Sequence, residues 1–148
     1  MKEAIRQAKK AAAIGETPVG AVIVHDGRIL TRGYNLREKK KNSLCHAEII
    51  AINRAAKKLG GWRLPGCELY VTLEPCPMCA GAILQSRIER VYFGAYDKKA
   101  GCAGSVTDLF EAGMFNHTVE TVGGVMEQEC VALLQDFFRE LRQRKKNK

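Results

Sequence analysis

The stretch from Leu73 to Cys79 reads Leu-Glu-Pro-Cys-Pro-Met-Cys and joins an alternating, β-rich segment to an apolar segment with helical spacing. Proline suits the first position of a helix, where its missing N–H would have no partner. We therefore predict that a helix begins at Pro77 and carries Cys76 and Cys79 at its N-terminal end. The positive end of the helix dipole favours thiolates there, and thiolates are ligands for zinc.

A second stretch, Cys45-His46-Ala47-Glu48, opens a segment rich in Ala and Ile that we predict to be a buried helix. His46, Cys76 and Cys79 can hold a zinc ion with one position left open, as in catalytic sites. Glu48 is then available as a proton carrier. A structural zinc normally has four protein ligands, and Cys45 is a poor fourth one because adjacent residues rarely direct both side chains at one ion. A structural zinc, or no metal at all, is the alternative interpretation.

Hydrophobic periodicity and turn residues predict four long helices and five strands. The helices cover 1–12, 46–59, 77–85 and 127–145, and the strands cover 19–24, 28–34, 68–73, 89–94 and 118–122. Asp26-Gly27 is typical of a tight hairpin, so the first two strands should pair antiparallel. The strand–helix–strand order of the second half favours parallel pairing there. The expected fold class is α/β, with one mixed five-stranded sheet between helices, in a single domain of residues 1–148.

Two further segments have less regular patterns. Residues 106–111 are expected to form a short helix capped by Ser105. The C-terminal helix has an apolar side made of Val131, Leu134, Phe137, Phe138 and Leu141. Because Phe137 and Phe138 are adjacent, they cannot face the same way, so one is expected in the core and the other available to RNA or a subunit interface.

The 148-residue chain has a formal net charge of +8, and the basic residues are concentrated at 37–41 and 139–148. A polyanionic partner such as nucleic acid would explain these clusters, and so would a solvated helix face with a soluble tail. No apolar run is long enough to span a membrane, and the N-terminus lacks the apolar core of a signal peptide. We therefore expect a cytoplasmic protein without a membrane partner, whose six cysteines are thiols or metal ligands rather than disulfides.

The motifs His46-Ala47-Glu48 and Pro75-Cys76-Pro77-Met78-Cys79 together resemble the signature of the zinc-dependent cytidine and nucleotide deaminase superfamily. Flanking stretches over nearly the whole chain are similar to bacterial tRNA-specific adenosine deaminases. These stretches are 15–22, 34–35, 69–75, 97–105, 116–117, 124–125 and 136–139. The zinc motif indicates only the superfamily, whereas the flanking matches select the tRNA adenosine branch. Cys45 departs from that branch, which usually has alanine at this position.

This resemblance implies a three-layer α/β/α cytidine-deaminase-like fold and a homodimer with one Zn²⁺ per subunit. The implied reaction is hydrolytic deamination of adenosine to inosine at the wobble position of a tRNA anticodon, typically that of an arginine tRNA reading ACG. Glu48 would pass protons to N1 of the adenine and then to the departing amine. The expected partner is the anticodon stem-loop, whose loop bases are already unpaired. The candidate substrate-binding residues are Asn35, Ala47, Asp97, Lys98, Asn116, His117, Phe138, Arg139 and Arg142.

Several of these residues also have structural interpretations. Asn35 suits a turn, because asparagine tolerates left-handed backbone. Asn116 and His117 could cap or pack a loop, Asp97 could hold its own loop, and Lys98 could be a solvated charge. The residue types alone do not decide between these roles and contacts to RNA.

Two other functions are compatible with the sequence. The main alternative is a zinc-dependent deaminase of a free base or nucleoside, such as guanine, cytosine or cytidine, which would have no use for the basic clusters. A lesser alternative is a nucleic-acid-binding protein with a structural zinc, which would have no reason to carry Glu48 two residues after His46.

Overall fold

The computed structural model describes residues 1–147. The elements in this range are α1 (Lys2–Ala13), β1 (Gly20–His25), β2 (Arg28–Tyr34), α2 (Ala47–Leu59), β3 (Cys67–Leu73), α3 (Pro77–Gln85), β4 (Arg90–Ala95), β5 (Glu120–Val122) and α4 (Glu127–Lys146). The strands form one sheet in the order β2-β1-β3-β4-β5. Strand β1 is antiparallel to both of its neighbours, and β3, β4 and β5 are parallel. The predicted mixed five-stranded α/β fold is confirmed.

Helices cover both faces of the sheet. On one face α2 and α3 enclose the larger core, which includes Ile23, Leu69 and Val91 from the three central strands. On the other face α1 and α4 form a smaller core, in which Ile5 packs near Cys130. The sheet is therefore the middle of three layers, as the cytidine-deaminase-like resemblance implies.

The directions of the strands determine which edge of the sheet carries the zinc-motif residues. Because β1 is antiparallel to both neighbours, β2, β3 and β4 all end at the same edge. The chain leaves β2 at Asn35 and β3 at Glu74, and it returns as α2 and α3. The N-caps of these helices are His46 and Cys76. Open α/β sheets bind ligands outside the carboxyl ends of their strands, and both stretches of the zinc motif lie there.

A glycine in β2 sets the distance between β2 and α2. A Cβ atom at Gly33 would lie 2.5 Å from the carbonyl oxygen of Ala47 and 2.9 Å from the backbone nitrogen of Ala51. The hydroxyl of Thr31 also donates to the Ala51 carbonyl at 2.9 Å. Since Ala47 directly follows His46, this close contact fixes where the predicted zinc ligand sits relative to the sheet.

The predicted short helix over 106–111 is wrong, because this segment forms turns next to an isolated antiparallel bridge. Ser105, the expected cap, donates both its N–H and its hydroxyl to the carboxylate of Glu74. The following residue, Val106, donates its N–H to the carbonyl of Gly101. Glu74, distant in sequence, and the nearby carbonyl of Gly101 thus bind the groups that would have started a helix.

Within residues 1–147, α4 packs against the rest of the chain from Glu127 to Phe137, and its later residues are exposed. Cys130 is buried and Phe137 is half-buried, whereas Phe138 and Leu141 are 42% and 37% exposed. The predicted apolar side is therefore covered over part of its length, and Phe138 is the exposed member of the Phe pair. Although α4 has 20 residues, none of the helices within residues 1–147 combines the length and apolarity needed to cross a membrane.

Replacing Gly33 by alanine is expected to lower the free energy of unfolding by about 1–3 kcal/mol, the usual effect of overpacking a tight contact. The same change should weaken zinc binding, because α2 carries His46 and would have to shift. Urea unfolding and competition for zinc with a colorimetric chelator measure the two effects. Gly61→Ala is the matched control, since a Cβ there meets no atom within 4 Å. Equal stability and zinc affinity in the two variants would contradict the assigned role of Gly33.

Candidate active site

Three potential metal ligands converge where α2 and α3 begin. The Nδ1 atom of His46 lies 3.6 Å from the Sγ atoms of both Cys76 and Cys79, and the three ligand atoms lie within 4.8 Å of one another. Tetrahedral zinc with Zn–S bonds of ~2.3 Å and a Zn–N bond of ~2.1 Å would separate nitrogen from sulfur by about 3.6 Å. The donor set and its spacing therefore fit a zinc ion with three protein ligands.

The helix N-termini and mutual hydrogen bonds favour a thiolate in this cluster. Cys76 is the N-cap of α3, and Cys79 lies in the first turn. Hydrogen bonds with Cys79 and His46 lower the pKa of Cys76 to about 4. The hydrogen bond with Cys76, together with burial, raises the pKa of Cys79, and the pKa of His46 is raised mainly by its hydrogen bond with Cys76. Zinc binds cysteine as the thiolate, so a bound cation would displace any proton held by either sulfur.

Glu48 lies in the first turn of α2 and lines the same pocket as the cluster. Its side chain is buried, with 3% exposure, and burial raises the pKa of its carboxyl to about 7. A carboxyl with a pKa in this range can both accept and release a proton near neutral pH. The structure therefore brings the predicted proton carrier to the predicted metal ligands.

A cavity of about 180 Å³ adjoins the cluster. Its walls are formed by the segments that enter β1, leave β2, β3 and β4, and begin α2 and α3. Asn35 and Ala47, both predicted to bind substrate, lie in these walls. The Asn35 amide donates to the Thr17 carbonyl at 3.2 Å and accepts the Arg37 N–H at 3.1 Å. A carboxamide has two N–H donors and two acceptor positions, so these bonds leave one donor and one acceptor position for a ligand.

The loop after β4 supplies another wall of the cavity. Asp97 lines the cavity, whereas Lys98 is exposed outside it. The Oδ1 atom of Asp97 accepts the N–H groups of Lys99 and Ala100 at 3.0 and 3.2 Å. Asp97 therefore holds its own turn and also faces the pocket, and a substrate contact by Asp97 stays a prediction.

The structure does not bring Asn116 and His117 to the pocket of their own chain. Both line a separate depression that includes Arg87 and Phe115. The Nε2 atom of His117 donates to the carbonyl of Ile88 at 2.7 Å. Within this chain His117 thus holds a loop, and a substrate contact by either residue stays a prediction.

The predicted residues of α4 lie on a surface next to the pocket. Phe138, Arg139 and Arg142 line a groove together with Lys99. Lys99 belongs to the turn after β4, in which Asp97 lines the pocket. Arg139 also pairs with Asp136 on the same helix at 3.1 Å. The turn after β4 therefore contributes Asp97 to the pocket and Lys99 to the groove. The RNA contacts assigned to the α4 residues stay predictions.

Three charged residues at the site lie outside the set predicted from sequence. Arg37 and Glu74 line the pocket, and Glu16 is buried behind the loop that carries Arg37. Burial opposes ionisation of Glu74, but hydrogen bonds from Ser105 and from backbone N–H groups hold its pKa below the ordinary value. Glu16 and Glu74 lie within the stretches that resemble the adenosine deaminases, but such a match does not separate a loop-holding carboxylate from a catalytic one.

Known proteins share this sequence and fold. A family model for MafB19-like deaminases matches residues 1–142. The chain is 56% identical to a tRNA-specific adenosine deaminase of Bacillus subtilis (strain 168), covering 99% of this chain and 91% of that protein. It is 49% identical to a tRNA-specific adenosine deaminase of Haemophilus influenzae, covering 99% of this chain and 85% of that protein.

Solved structures agree with the sequence relatives. One from work on A-to-I editing by tRNA:A34 deaminases has a TM-score of 0.87 and 42% identity, covering 90% of this chain and 97% of that one. A guanine deaminase from Nitrosomonas europaea has a TM-score of 0.79 and 22% identity, covering 92% and 81%, and shows the shared fold alone. Fold and His-Cys-Cys cluster together define an enzyme of the deaminase class. Within that class the chain belongs to the family of tRNA-specific adenosine deaminases, which confirms the resemblance seen in the motifs.

We expect the purified protein to contain about one zinc ion per chain. Cys76→Ser and Cys79→Ser should each reduce the zinc content severely, because two protein ligands hold zinc much less tightly than three. Cys45→Ala should retain zinc, since Cys45 is not part of the ligand cluster. Plasma mass spectrometry after gel filtration in metal-depleted buffer measures the content. Loss of zinc from Cys45→Ala would mean that Cys45 is a fourth ligand and that the site is closed.

Proposed function

We propose that this protein converts adenosine to inosine at the wobble position of a tRNA anticodon, with an arginine tRNA carrying the anticodon ACG as its substrate. The observation that carries the proposal is the convergence of His46, Cys76 and Cys79 beside the buried Glu48 in one pocket. The substrate class is supported by the relatives, which are tRNA-specific adenosine deaminases. The reaction adds one water, forms a C6–O bond, breaks the C6–N bond and releases ammonia.

Our proposal assigns His46, Cys76 and Cys79 as ligands of a single zinc ion. Zinc held there would supply Lewis acidity that lowers the pKa of a water molecule toward about 7. Glu48 takes one proton from the attacking water and delivers it to N1 of the adenine. It then takes the proton of the new C6 hydroxyl and passes it to the amine, so that the C6–N bond breaks as the C6 carbonyl forms. The buried position of Glu48 in the same pocket supports this sequence of proton transfers, because the carboxyl is screened from bulk water.

Two wall residues would orient the reactants. Ala47 is the first residue of α2, where backbone N–H groups have no partner within the helix, so its N–H can bind the attacking water. Asn35 would hold the nucleoside with the amide donor and acceptor that remain after its bonds to Thr17 and Arg37.

Basic side chains beside the pocket support an RNA substrate. Arg37 lines the pocket and begins the exposed cluster at 37–41, and Lys99 lies with Phe138 and Arg142 along the groove after β4. Cations of this kind bind phosphates, and an exposed aromatic ring can stack on an unpaired base. Because anticodon loop bases are unpaired, the target base enters the pocket without the cost of opening a duplex.

The proposal includes a homodimer in the cytoplasm, as the family resemblance implies. In such a dimer the partner subunit would contribute residues to the active site. Val106 and Phe115 are 57% and 52% exposed, and Asn116 and His117 lie beside Phe115 rather than in their own pocket. This placement supports a role for the 114–117 segment at a subunit interface.

The alternatives have weaker support. A deaminase of free guanine, cytosine or cytidine would use the same ligands and the same glutamate, but it would not need the basic surfaces at 37–41 and on α4. The likeness to a guanine deaminase is at 22% identity and concerns the fold. A binding protein with a structural zinc would not need Glu48 buried in the pocket.

The deciding experiment is incubation of the purified protein with an arginine tRNA carrying ACG, followed by nucleoside mass spectrometry and mapping of inosine. We expect inosine only at the wobble position. Glu48→Gln should retain zinc and lower the rate by about 10²–10⁴-fold, the usual contribution of general acid–base catalysis. A Glu48→Gln rate equal to that of the wild type would remove Glu48 from the mechanism. Deamination of free guanine or cytidine, with no inosine in the tRNA, would instead support the main alternative.

Removing residues 142–148 should weaken tRNA binding and flatten its dependence on salt concentration. Each lost phosphate contact reduces the slope of log K against log [salt] by about 0.7–0.9. Fluorescence anisotropy of a labelled tRNA over a range of salt concentrations measures the slope. Lys57→Gln is the control, because Lys57 is exposed on α2, on the opposite face of the sheet from α4. An unchanged slope in the truncated protein would assign the tail to solubility alone.

A further inference from the structure

Two fully buried carboxylates near the pocket have no role in the proposed chemistry. Glu16 is 1% exposed and Glu74 is 2% exposed. Among the ion pairs of residues 1–147, neither carboxylate has a basic partner. Their hydrogen-bond donors are instead backbone N–H groups and one hydroxyl. A buried carboxylate with such partners stabilises a particular backbone path rather than a charge pair.

Glu74 holds the loop that follows β4. Its Oε1 accepts the N–H of Asp97 at 3.0 Å and the hydroxyl of Ser105. Its Oε2 accepts the N–H groups of Ala103 and Ser105 at 2.9 and 3.1 Å. Because both oxygens already accept two hydrogen bonds, Glu74 lines the pocket without a position left for proton transfer.

The loop lies so close to Glu74 that only glycine fits at one position. A Cβ atom at Gly101 would lie 2.3 Å from Cδ of Glu74 and 2.5 Å from its Oε1. The backbone at Gly101 also donates to the Asp97 carbonyl at 2.8 Å. The loop is therefore wrapped tightly around the carboxylate.

Glu16 holds the loop that follows β2 in the same manner. Its Oε1 accepts the N–H of Glu38 at 3.1 Å, and its Oε2 accepts the N–H of Lys39 at 2.7 Å. These N–H groups belong to the basic 37–41 turn, whose first residue, Arg37, lines the pocket. Like Glu74, Glu16 therefore anchors a loop through its backbone and leaves the cationic side chains of the loop directed to other partners.

The two loops lie at the same end of the sheet, and each carries exposed basic side chains. They follow β2 and β4 and stand on either side of the pocket at the carboxyl edge of the sheet. One presents Arg37 and the lysines of 39–41, and the other presents Asp97 and Lys99. We propose that Glu16 and Glu74 are positioning residues that fix these two loops for binding of the RNA substrate. This inference rests on the proposed function.

The test uses Glu16→Gln and Glu74→Gln in the full chain. Glutamine has the same shape as glutamate, but an NH₂ group replaces one of the two carboxylate oxygens. This NH₂ group would face the N–H donors of the loop, so each loop should lose hydrogen bonds that anchor it. We expect KM for the ACG tRNA to rise about tenfold, which corresponds to the loss of one well-made buried bond, with a smaller change in kcat and with zinc content retained. Gly101→Ala should have the same effect as Glu74→Gln, because the added methyl group would push the loop away from the Glu74 carboxylate. Glu120→Gln is the control, as Glu120 is exposed at the opposite edge of the sheet.

Hydrogen exchange with mass spectrometry gives a readout that does not depend on activity. Glu16→Gln should speed exchange at 36–41, and Glu74→Gln at 97–105, each without changing the other loop. Shorter Glu16→Asp and Glu74→Asp variants serve the same comparison if a glutamine variant does not fold. Lower thermal stability with unchanged KM and unchanged loop exchange would overturn the inference and make both residues stabilisers of the fold. Loop exchange that changes as expected, in a protein whose wild type forms no inosine, would uphold the loop anchors while refuting the proposed function and the role in RNA binding.

Discussion

The common direction of β2, β3 and β4 is the constraint on which the rest of the site depends. Since all three strands end at one edge, the loops that follow them meet there, and α2 and α3 begin there. A helix N-terminus has unsatisfied N–H groups and a partial positive charge. Two such ends at one edge favour a cluster in which His46 and Cys76 are N-caps. The close contact at Gly33 then fixes the separation of α2 from the sheet.

Three buried carboxylates at this edge differ in their hydrogen-bond partners, and the difference separates their roles. Burial raises the pKa of Glu48 to about 7, so that it can change protonation state near neutral pH. Glu74 is also buried, but donors from the loop after β4 hold its pKa below the ordinary value. Glu16 accepts two backbone N–H groups from the loop after β2. Burial alone therefore does not distinguish Glu48, the proposed proton carrier, from Glu74; the hydrogen-bond donors around Glu74 do.

Features set by local spacing were predictable from the sequence. Pro77 between Cys76 and Cys79 defines a helix start, and the order of strands and helices defines a mixed sheet; the structure agrees with both. The segment 106–111 was not predictable, because the cap expected of Ser105 is overridden by Glu74, 31 residues away. The partial exposure of α4 was not predictable either. Periodicity indicates which side of a helix is apolar, but not how much of that side the sheet covers. Glu16 and Glu74 carry no pattern that distinguishes a loop anchor from a surface carboxylate.

The residues proposed for the reaction and those proposed for RNA recognition differ in how strongly the fold fixes their positions. The proposed ligands and Glu48 lie at the N-caps and in the first turns of helices that pack on the sheet, so their geometry follows from the fold. The side chains expected to select RNA lie on loops after β2 and β4 and on the exposed half of α4, where the fold leaves more freedom. One fold can host many unrelated functions, so the fold, which a guanine deaminase shares at 22% identity, does not itself select the substrate. Loop anchors that act through the backbone limit this freedom, because each carboxylate fixes the path of the chain without binding the basic side chains of its loop. Arg37 and Lys99 remain exposed to solvent, and within residues 1–147 Arg37 pairs only with the exposed Glu38, at 3.6 Å.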